Sequence, residues 1–401
     1  MQRLKFQLWR LGSFTKRGRK ANRAALTIVI VSVGLILLTL QSFVAPQTKF
    51  FRTTEEIAPE SVTSLPPPTS VLHPNTPEQA PLNADIAFTI HTTPGRIAEY
   101  SESFPQHGRT EPGLHYRIEN KQLLGQAGNR EKDSLLLITV FNGANSWGNN
   151  RTMADYFSLV GSQEFPKEKT SIALLTSSSA EFEKLKGIFR RHIHQYAQLS
   201  VIFRNDFAPE GLTRDNRHDD DLQANRRRMI ARYRNYALLS TLETWHQHVV
   251  WLDADISAIP ADLLPKMTQS GLDIVHPLCA FKINDNGDWG VYDRNAWVGH
   301  RKVRPPQAQG FVPDLLSAKN MGDLNAEGED IVPLDSVGGA MLYVRADVHR
   351  QGVLFPAHYV IGSEWGAEGY DGIETEGICY SAHFLGFKCW GMPKEIIFHS
   401  E

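Results

Sequence analysis

Val249-Val250-Trp251-Leu252-Asp253-Ala254-Asp255 decides how this chain folds. Four apolar residues in a row suit a short strand buried on both faces, and the carboxylates that follow mark its polar end. Similar apolar runs precede it at Ser134-Leu135-Leu136-Leu137-Ile138-Thr139-Val140, Ser171-Ile172-Ala173-Leu174-Leu175 and Leu199-Ser200-Val201-Ile202-Phe203. Helical patterns separate these runs over Arg151 to Val160, Ala180 to Gln195 and Leu222 to Thr244. Strands alternating with helices predict a parallel sheet with right-handed crossovers, hence an α/β, Rossmann-like domain. Ligands of such sheets bind beyond the carboxyl ends of the strands. Two polar segments fall there: Asn142-Gly143-Ala144-Asn145-Ser146-Trp147-Gly148 and Asp253-Ala254-Asp255.

Side chains alternate along extended backbone, so Asp253 and Asp255 are expected on one side. Paired carboxylates at that spacing are hard oxygen donors for Mn²⁺ or Mg²⁺, and such an ion would also hold a diphosphate. A solvated strand-end loop is the competing reading. The last apolar strand, Glu395-Ile396-Ile397-Phe398-His399, ends in an imidazole that is either a transition-metal ligand or an exposed terminal residue.

Outward from this core, the 401-residue chain changes character toward its N-terminus. The formal net charge of −2 hides an asymmetry, because Arg3, Lys5, Arg10, Lys16, Arg17, Arg19, Lys20 and Arg23 all precede the first acid, Glu55. Such a block points to a membrane surface and not to nucleic acid. Ala24 to Val44 carries no charge and is long enough as a helix to cross a hydrocarbon core of about 30 Å. With the basic residues held in the cytosol, everything after Ala45 lies on the far side, which is type II topology. A cleaved signal peptide fits less well: the apolar run exceeds the usual length of about 7–15 residues, and Phe43 occupies the small-residue position needed for cleavage. The expected organisation is a cytosolic tail over 1–23, a signal-anchor over 24–44, a proline-rich flexible stem over 45–132 and a catalytic domain over 133–401. Cys279, Cys379 and Cys389 allow one disulfide without revealing its pairing, and Cys279 in IVHPLCA also reads as a buried small hydrophobe.

Several segments resemble the fungal Golgi mannosyltransferase family 62, the subunits of mannan polymerase complexes. They are SWGNNRTMADYFSLV at 146–160, RYRNYALLSTLETW at 232–245, VVWLDADI at 249–256, LDSVGGAMLYVRADVHRQGVLFP at 334–356, and IETEG with GMPKEIIFH within 373–399. The resemblance implies a GT-A-type glycosyltransferase domain, GDP-mannose as donor, Mn²⁺ as metal and an α-mannoside formed with retention. It also implies a mannose-containing glycan acceptor, residence in the Golgi membrane and related mannosyltransferase subunits as partners.

Carried over residue by residue, the resemblance makes Asp253, Asp255 and His399 the metal ligands and turns Arg234 toward the donor diphosphate. A surface helix arginine is the alternative for Arg234. Phe141, Asn142 and Arg151 become candidates for holding guanine and ribose, although Gly143 and Ala144 stand where family members often carry a charged or larger residue. Asp335, with Gly338 and Gly339, reads as a turn that lets backbone approach the sugar, or as a purely structural turn. Glu374 and Glu376 open a predicted helix, and Glu376 is the better candidate to reach the anomeric centre or the acceptor hydroxyl. Asp219-Asp220-Asp221 is expected to sit at the positive end of the helix that carries Arg234. The sequon Asn150-Arg151-Thr152 overlaps the expected nucleotide loop, which predicts poor use. Retention admits front-face attack or a double displacement through Glu376 or Asp335. The rival readings are a non-catalytic or assembly subunit, and a transferase for another nucleotide sugar.

Overall fold

The computed structural model describes residues 88–92, 96–209, 211–212, 216, 219–284, 286–301, 303 and 315–400. The expected tail over 1–23, the anchor over 24–44 and much of the expected stem lie outside them. Among the described residues, no helix is long and apolar enough to cross a membrane.

In chain order the strands are β1 Phe88–Thr92, β2 Ile97–Phe104, β3 Gly113–Asn120, β4 Leu135–Phe141, β5 Thr170–Thr176, β6 Gln198–Phe203, β7 His248–Leu252 and β8 Ile256–Ala258. They continue with β9 Ile274–Lys282, β10 Trp289–Val291, β11 Trp297–Arg301, β12 Leu315–Asn320, β13 Val332–Leu334, β14 Met341–Arg345 and β15 Cys389–His399. The principal helices are α1 Met153–Gly161, α2 Ser179–His192, α3 Asp220–Thr241, α4 Leu263–Gln269 and α5 Thr375–Phe384.

The four expected strands are β4 to β7, and they run parallel in the order β6-β5-β4-β7. Every residue of β5, β6 and β7 is buried, as strands covered on both faces require. Alternate side chains divide between two layers. Leu135, Leu137, Ile172, Leu174 and Val250 pack with Phe157 of α1 and Phe182 and Phe189 of α2. Leu136, Ile138, Ala173, Leu175 and Trp251 pack with Ala231 and Leu238 of α3 and Ile378 of α5. The chain leaves β4 toward β5 on one side, yet β7 joins β4 on the other, so the strand order reverses between β4 and β7. A crevice at such a reversal is where open α/β sheets bind ligands.

The local signals for the helices are plain. Thr152 accepts from the Ala154 amide (3.2 Å) while Asp155 accepts from the Thr152 amide (2.7 Å), a capping box that starts α1. Ser178 caps α2 through the Glu181 amide. The acidic run lies at the start of α3, with Asp219 in the cap position.

The stem boundary at 132 is corrected by β2 and β3. β3 pairs antiparallel with β6 from Leu114↔Phe203 to Glu119↔Gln198, and β2 pairs antiparallel with β3. These strands are half-covered and carry Glu99, Glu102, Arg117 and Glu119, so their polar composition conceals extended structure that the neighbouring strand stabilises. The sheet is also mixed and not parallel throughout. β14 runs antiparallel to β7 and β9, while β15 is parallel to β9 and antiparallel to β8 and β13. Cys379 of α5 and Cys389 of β15 form a disulfide, and Cys279 is buried as a free thiol.

Candidate metal and donor site

β7 ends at Leu252 and delivers Asp253-Ala254-Asp255 into the crevice. Ala254 is buried between the two acids, the Ile256 amide donates to the Asp253 carbonyl (3.4 Å), and Ile256 restarts extended backbone as β8. β15 pairs with β8 through Phe398↔Ala258 and His399↔Ile256. That register sets His399 Nε2 3.0 Å from Asp255 Oδ2, and the Ser400 amide donates to the Asp255 carbonyl at 2.8 Å. The Tyr292 ring stacks on the His399 imidazole with centroids 3.7 Å apart and 18° between planes.

Asp253 is held differently. Its amide donates to the Ala340 carbonyl (2.9 Å) and its Oδ1 accepts from Arg234 Nη2 (3.1 Å). Arg234 Nη2 also donates to the Gly339 carbonyl (3.1 Å), Nη1 donates to Glu374 Oε1, and the guanidinium lies 5.2 Å from the Phe355 ring centroid. Only 6 % of Arg234 is exposed. Arg234 is therefore engaged behind the acidic motif in this structure, and is neither open toward a diphosphate nor a surface arginine. Burial opposes its charge, but Glu374, Asp253 and Asp293 hold its pKa above the usual arginine range. The Asp253 carboxylate keeps 38 % of its surface open. Crowding protein nevertheless raises its pKa to about 7, with Asp255, Glu374 and Asp293 adding to the rise and Arg234 opposing it.

Arg227 and Arg234 lie two turns apart on α3 and so share a face. They meet the two acids at the start of α5. Arg227 Nη1 is 2.9 Å from Glu376 Oε1, as Arg234 is paired with Glu374. Glu374 stands in the left-handed half of backbone space at φ +58°, ψ −127°, a conformation that a non-glycine residue keeps only where its surroundings impose it. Glu376 is 1 % exposed, and its Oε2 has no hydrogen-bond partner among the described residues. Burial first, then Asp371 and Glu374, push its pKa up to about 7 against Arg227 and Arg301.

Beyond β4 the placement is mixed. Phe141 is buried with its ring 4.5 Å from Trp147, so it belongs to the core and not to a base-binding surface. Asn142 is exposed, and its carbonyl accepts from Thr176 Oγ1. Arg151 donates to the Trp147 carbonyl (3.1 Å) and feels the charge of Asp255. Gly148 lies at φ +94°, and any side chain there would collide with Ser400. Asp335 is exposed and accepts from the Gly299 amide at 2.8 Å, which makes it a brace between β13 and β11. The acid that organises the glycine turn is Asp293, unrecognised in the sequence. Its Oδ2 accepts from the Gly339 (2.7 Å) and Ala340 (3.2 Å) amides, and a side chain on Gly338 would collide with it. Asp293 lacked a signal because it follows β10, a strand of three residues with no readable periodicity.

Of the three expected metal ligands, Asp255 and His399 touch while Asp253 is turned to Arg234. Among the described residues, no group of three His, Cys, Asp or Glu side chains is gathered as a metal would require. The donor chemistry nonetheless fits Mn²⁺: two carboxylates and an imidazole share one end of the β7 and β15 strands, beside a buried Ser400 Oγ that has no hydrogen-bond partner among the described residues.

The chain is similar to the mannan polymerase complex subunit mnn9 of Schizosaccharomyces pombe, 26 % identical over 310 residues that span 72 % of this chain and 86 % of the relative. It is 25 % identical over 304 residues to the mannan polymerase complex subunit MNN9 of Candida albicans, across 71 % of this chain and 79 % of that one. A looser likeness links it to the solved mannosyltransferase PcManGT from Pyrobaculum calidifontis in complex with GDP-Man and Mn²⁺, with a TM-score of 0.40 and 11 % identity over 70 % of this chain and 62 % of that one. The chain thus spans less than two thirds of that solved structure. The sequence profile of the Anp1 family matches residues 114–359, from β3 past the glycine turn, and the chain belongs to that family.

Proposed function

We propose that this protein is a GT-A-type α-mannosyltransferase that uses Mn²⁺ to transfer mannose from GDP-mannose to a mannose-containing glycan, as a type II protein of the Golgi membrane and a member of a mannan-building complex. The observation that carries the reading is the contact between Asp255 and His399, beside Asp253, at the strand-order reversal. The relatives' names as mannan polymerase subunits support the sugar and the complex. The disulfide between Cys379 and Cys389 suits an oxidising compartment such as the secretory lumen.

When bound, a divalent cation supplies charge stabilisation to the departing diphosphate. Asp255 and His399 would hold it directly, with Asp253 as the third ligand. Arg234 keeps Asp253 and Glu374 in place by joining them to the Gly339 carbonyl. Glu376 has a pKa near 7 and one oxygen without a hydrogen-bond partner among the described residues, but it lies buried on Arg227, so it would take a proton from an acceptor hydroxyl only once the start of α5 is uncovered. Asn142 and Arg151 border the crevice from the β4 side.

A screen of GDP- and UDP-sugars with Mn²⁺ by thermal shift tests the donor. A ligand present at about 100 times its Kd stabilises by about 2.7 kcal/mol, so GDP-mannose should raise the melting temperature where UDP-sugars do not. A UDP-sugar response would reassign the donor. The relatives' standing as complex subunits favours one second reading, an assembly subunit without turnover. That reading expects stable co-purification with a related chain and no Mn²⁺-dependent donor binding.

A further inference from the structure

One short segment touches His399, the glycine turn and Glu376. Tyr292, which immediately follows β10, lays its ring on His399 while its amide donates to the Cys279 carbonyl at 2.9 Å. Asp293, the next residue, is buried and fixes the glycine turn through the Gly339 and Ala340 amides. That turn in turn presents the Ala340 carbonyl to the Asp253 amide and the Gly339 carbonyl to Arg234. Asn295 donates its amide to Asp293 Oδ1 (3.2 Å). In the side-chain orientation its neighbours dictate, Asn295 donates to Glu376 Oε1 and accepts from Arg227, each at 3.2 Å.

We propose that Tyr292, Asp293 and Asn295 are positioning residues that set the spacing between the two arms of the cation site and the Glu376 carboxylate. The inference rests on the metal-dependent reading above. Asp253 and His399 are tied on one side by the pairing of β8 with β15 and the contact of Asp255 with His399, and Tyr292 and Asp293, adjacent in the chain, tie them on the other. A ring on one arm and a carboxylate behind the turn that holds the other, separated by one peptide unit, add a second tie between the arms to the one that β8 and β15 make. Groups that orient metal ligands from behind typically contribute about 10–100-fold to metal affinity. Asn295 extends the same brace to Glu376, so metal binding and the acid at the start of α5 are mechanically linked.

The test uses the full chain purified in detergent and a Mn²⁺ titration read from the electron paramagnetic resonance signal of the free ion, without donor. Wild type is expected to bind one Mn²⁺, and Asp255→Ala to abolish binding. Asp293→Asn should weaken the affinity about 10–100-fold. Tyr292→Ala, at a side chain 46 % exposed whose loss does not threaten the core, should weaken it about 10-fold, and Tyr292→Phe should restore it because the ring remains. Binding in wild type that is lost in Asp255→Ala but unchanged in Asp293→Asn and Tyr292→Ala would overturn this inference alone. Absence of binding in wild type would overturn the metal reading, and this inference with it. Asn295→Ala is read separately, as a pH profile of transfer displaced relative to wild type with Mn²⁺ affinity retained. An unmoved profile removes Asn295 from the proposal.

Discussion

His399 Nε2 lies 3.0 Å from Asp255 Oδ2 because two strand registers, β8 on β15 and β15 on β9, bring the end of the last strand to the end of β7. The contact joins the centre of the parallel core to the last strand. Any change that shifts the β15 register should therefore act on the site without touching it.

Gly338 and Gly339, in the turn before β14, act on the site by a different route, through Asp293 and Arg234. A methyl group on Gly338 would collide with Asp293, and one on Gly339 would crowd Arg234. Gly338→Ala should destabilise the fold by about 1–3 kcal/mol, as overpacking of a well-filled site does, and should weaken Mn²⁺ binding as the turn moves. Urea unfolding alongside Mn²⁺ titration checks both effects.

Glu376 predicts a pH signature. Its folded pKa is raised to about 7, so between its ordinary value of 4.5 and 7 the folded state holds a proton that the unfolded chain has released. The folded state therefore loses stability from this group as pH rises through that window. Glu376→Gln cannot ionise and escapes the loss. Relative to wild type, the variant should gain on the order of 2 kcal/mol between pH 5 and pH 8, measured by denaturant unfolding in chelator. A variant-to-wild-type difference that stays flat with pH contradicts the burial of an ionisable Glu376.

Trp251 anchors the layer beneath the acidic motif. It is fully buried, meets Phe355 edge-on at 4.9 Å and donates to His349 Nε2 at 3.2 Å. Trp251→Ala should lower unfolding free energy by about 3–5 kcal/mol, read from calorimetry. A loss below about 1 kcal/mol contradicts this packing.

The disulfide seats α5, and with it Glu374 and Glu376, against β15. Paired replacement of Cys379 and Cys389 by serine should reduce stability by about 2–4 kcal/mol. Non-reducing peptide mapping should recover the Cys379–Cys389 link and leave Cys279 as the free thiol.

The parallel core was legible because strands buried on both faces leave continuous apolar runs, and Val249–Leu252 followed by two aspartates placed the crevice as well. β2 and β3 were not legible, since IAEYSESF and GLHYRIEN owe their extended shape to pairing with β6 and not to their own apolar content. At the candidate site, Asp253, Asp255, His399, Glu374 and Glu376 were nameable as candidates from sequence and resemblance. Their connections were not. Arg234 was expected to face a ligand and instead joins two acids, a pairing set by the two-turn spacing on α3 against a strained helix start. Asp293, and not Asp335, holds the glycine turn, because a carboxylate next to a glycine pair in sequence need not be the one that binds it in space.

Transfer of mannose from GDP-mannose to a mannoside acceptor, by the full chain with Mn²⁺ and followed by mass of the product, is the most direct measurement. If Asp255 and His399 hold the metal, wild type turns over, and Asp255→Ala and His399→Ala chains that retain wild-type circular dichroism transfer at background rate. Undiminished transfer in a folded Asp255→Ala chain would contradict that metal role.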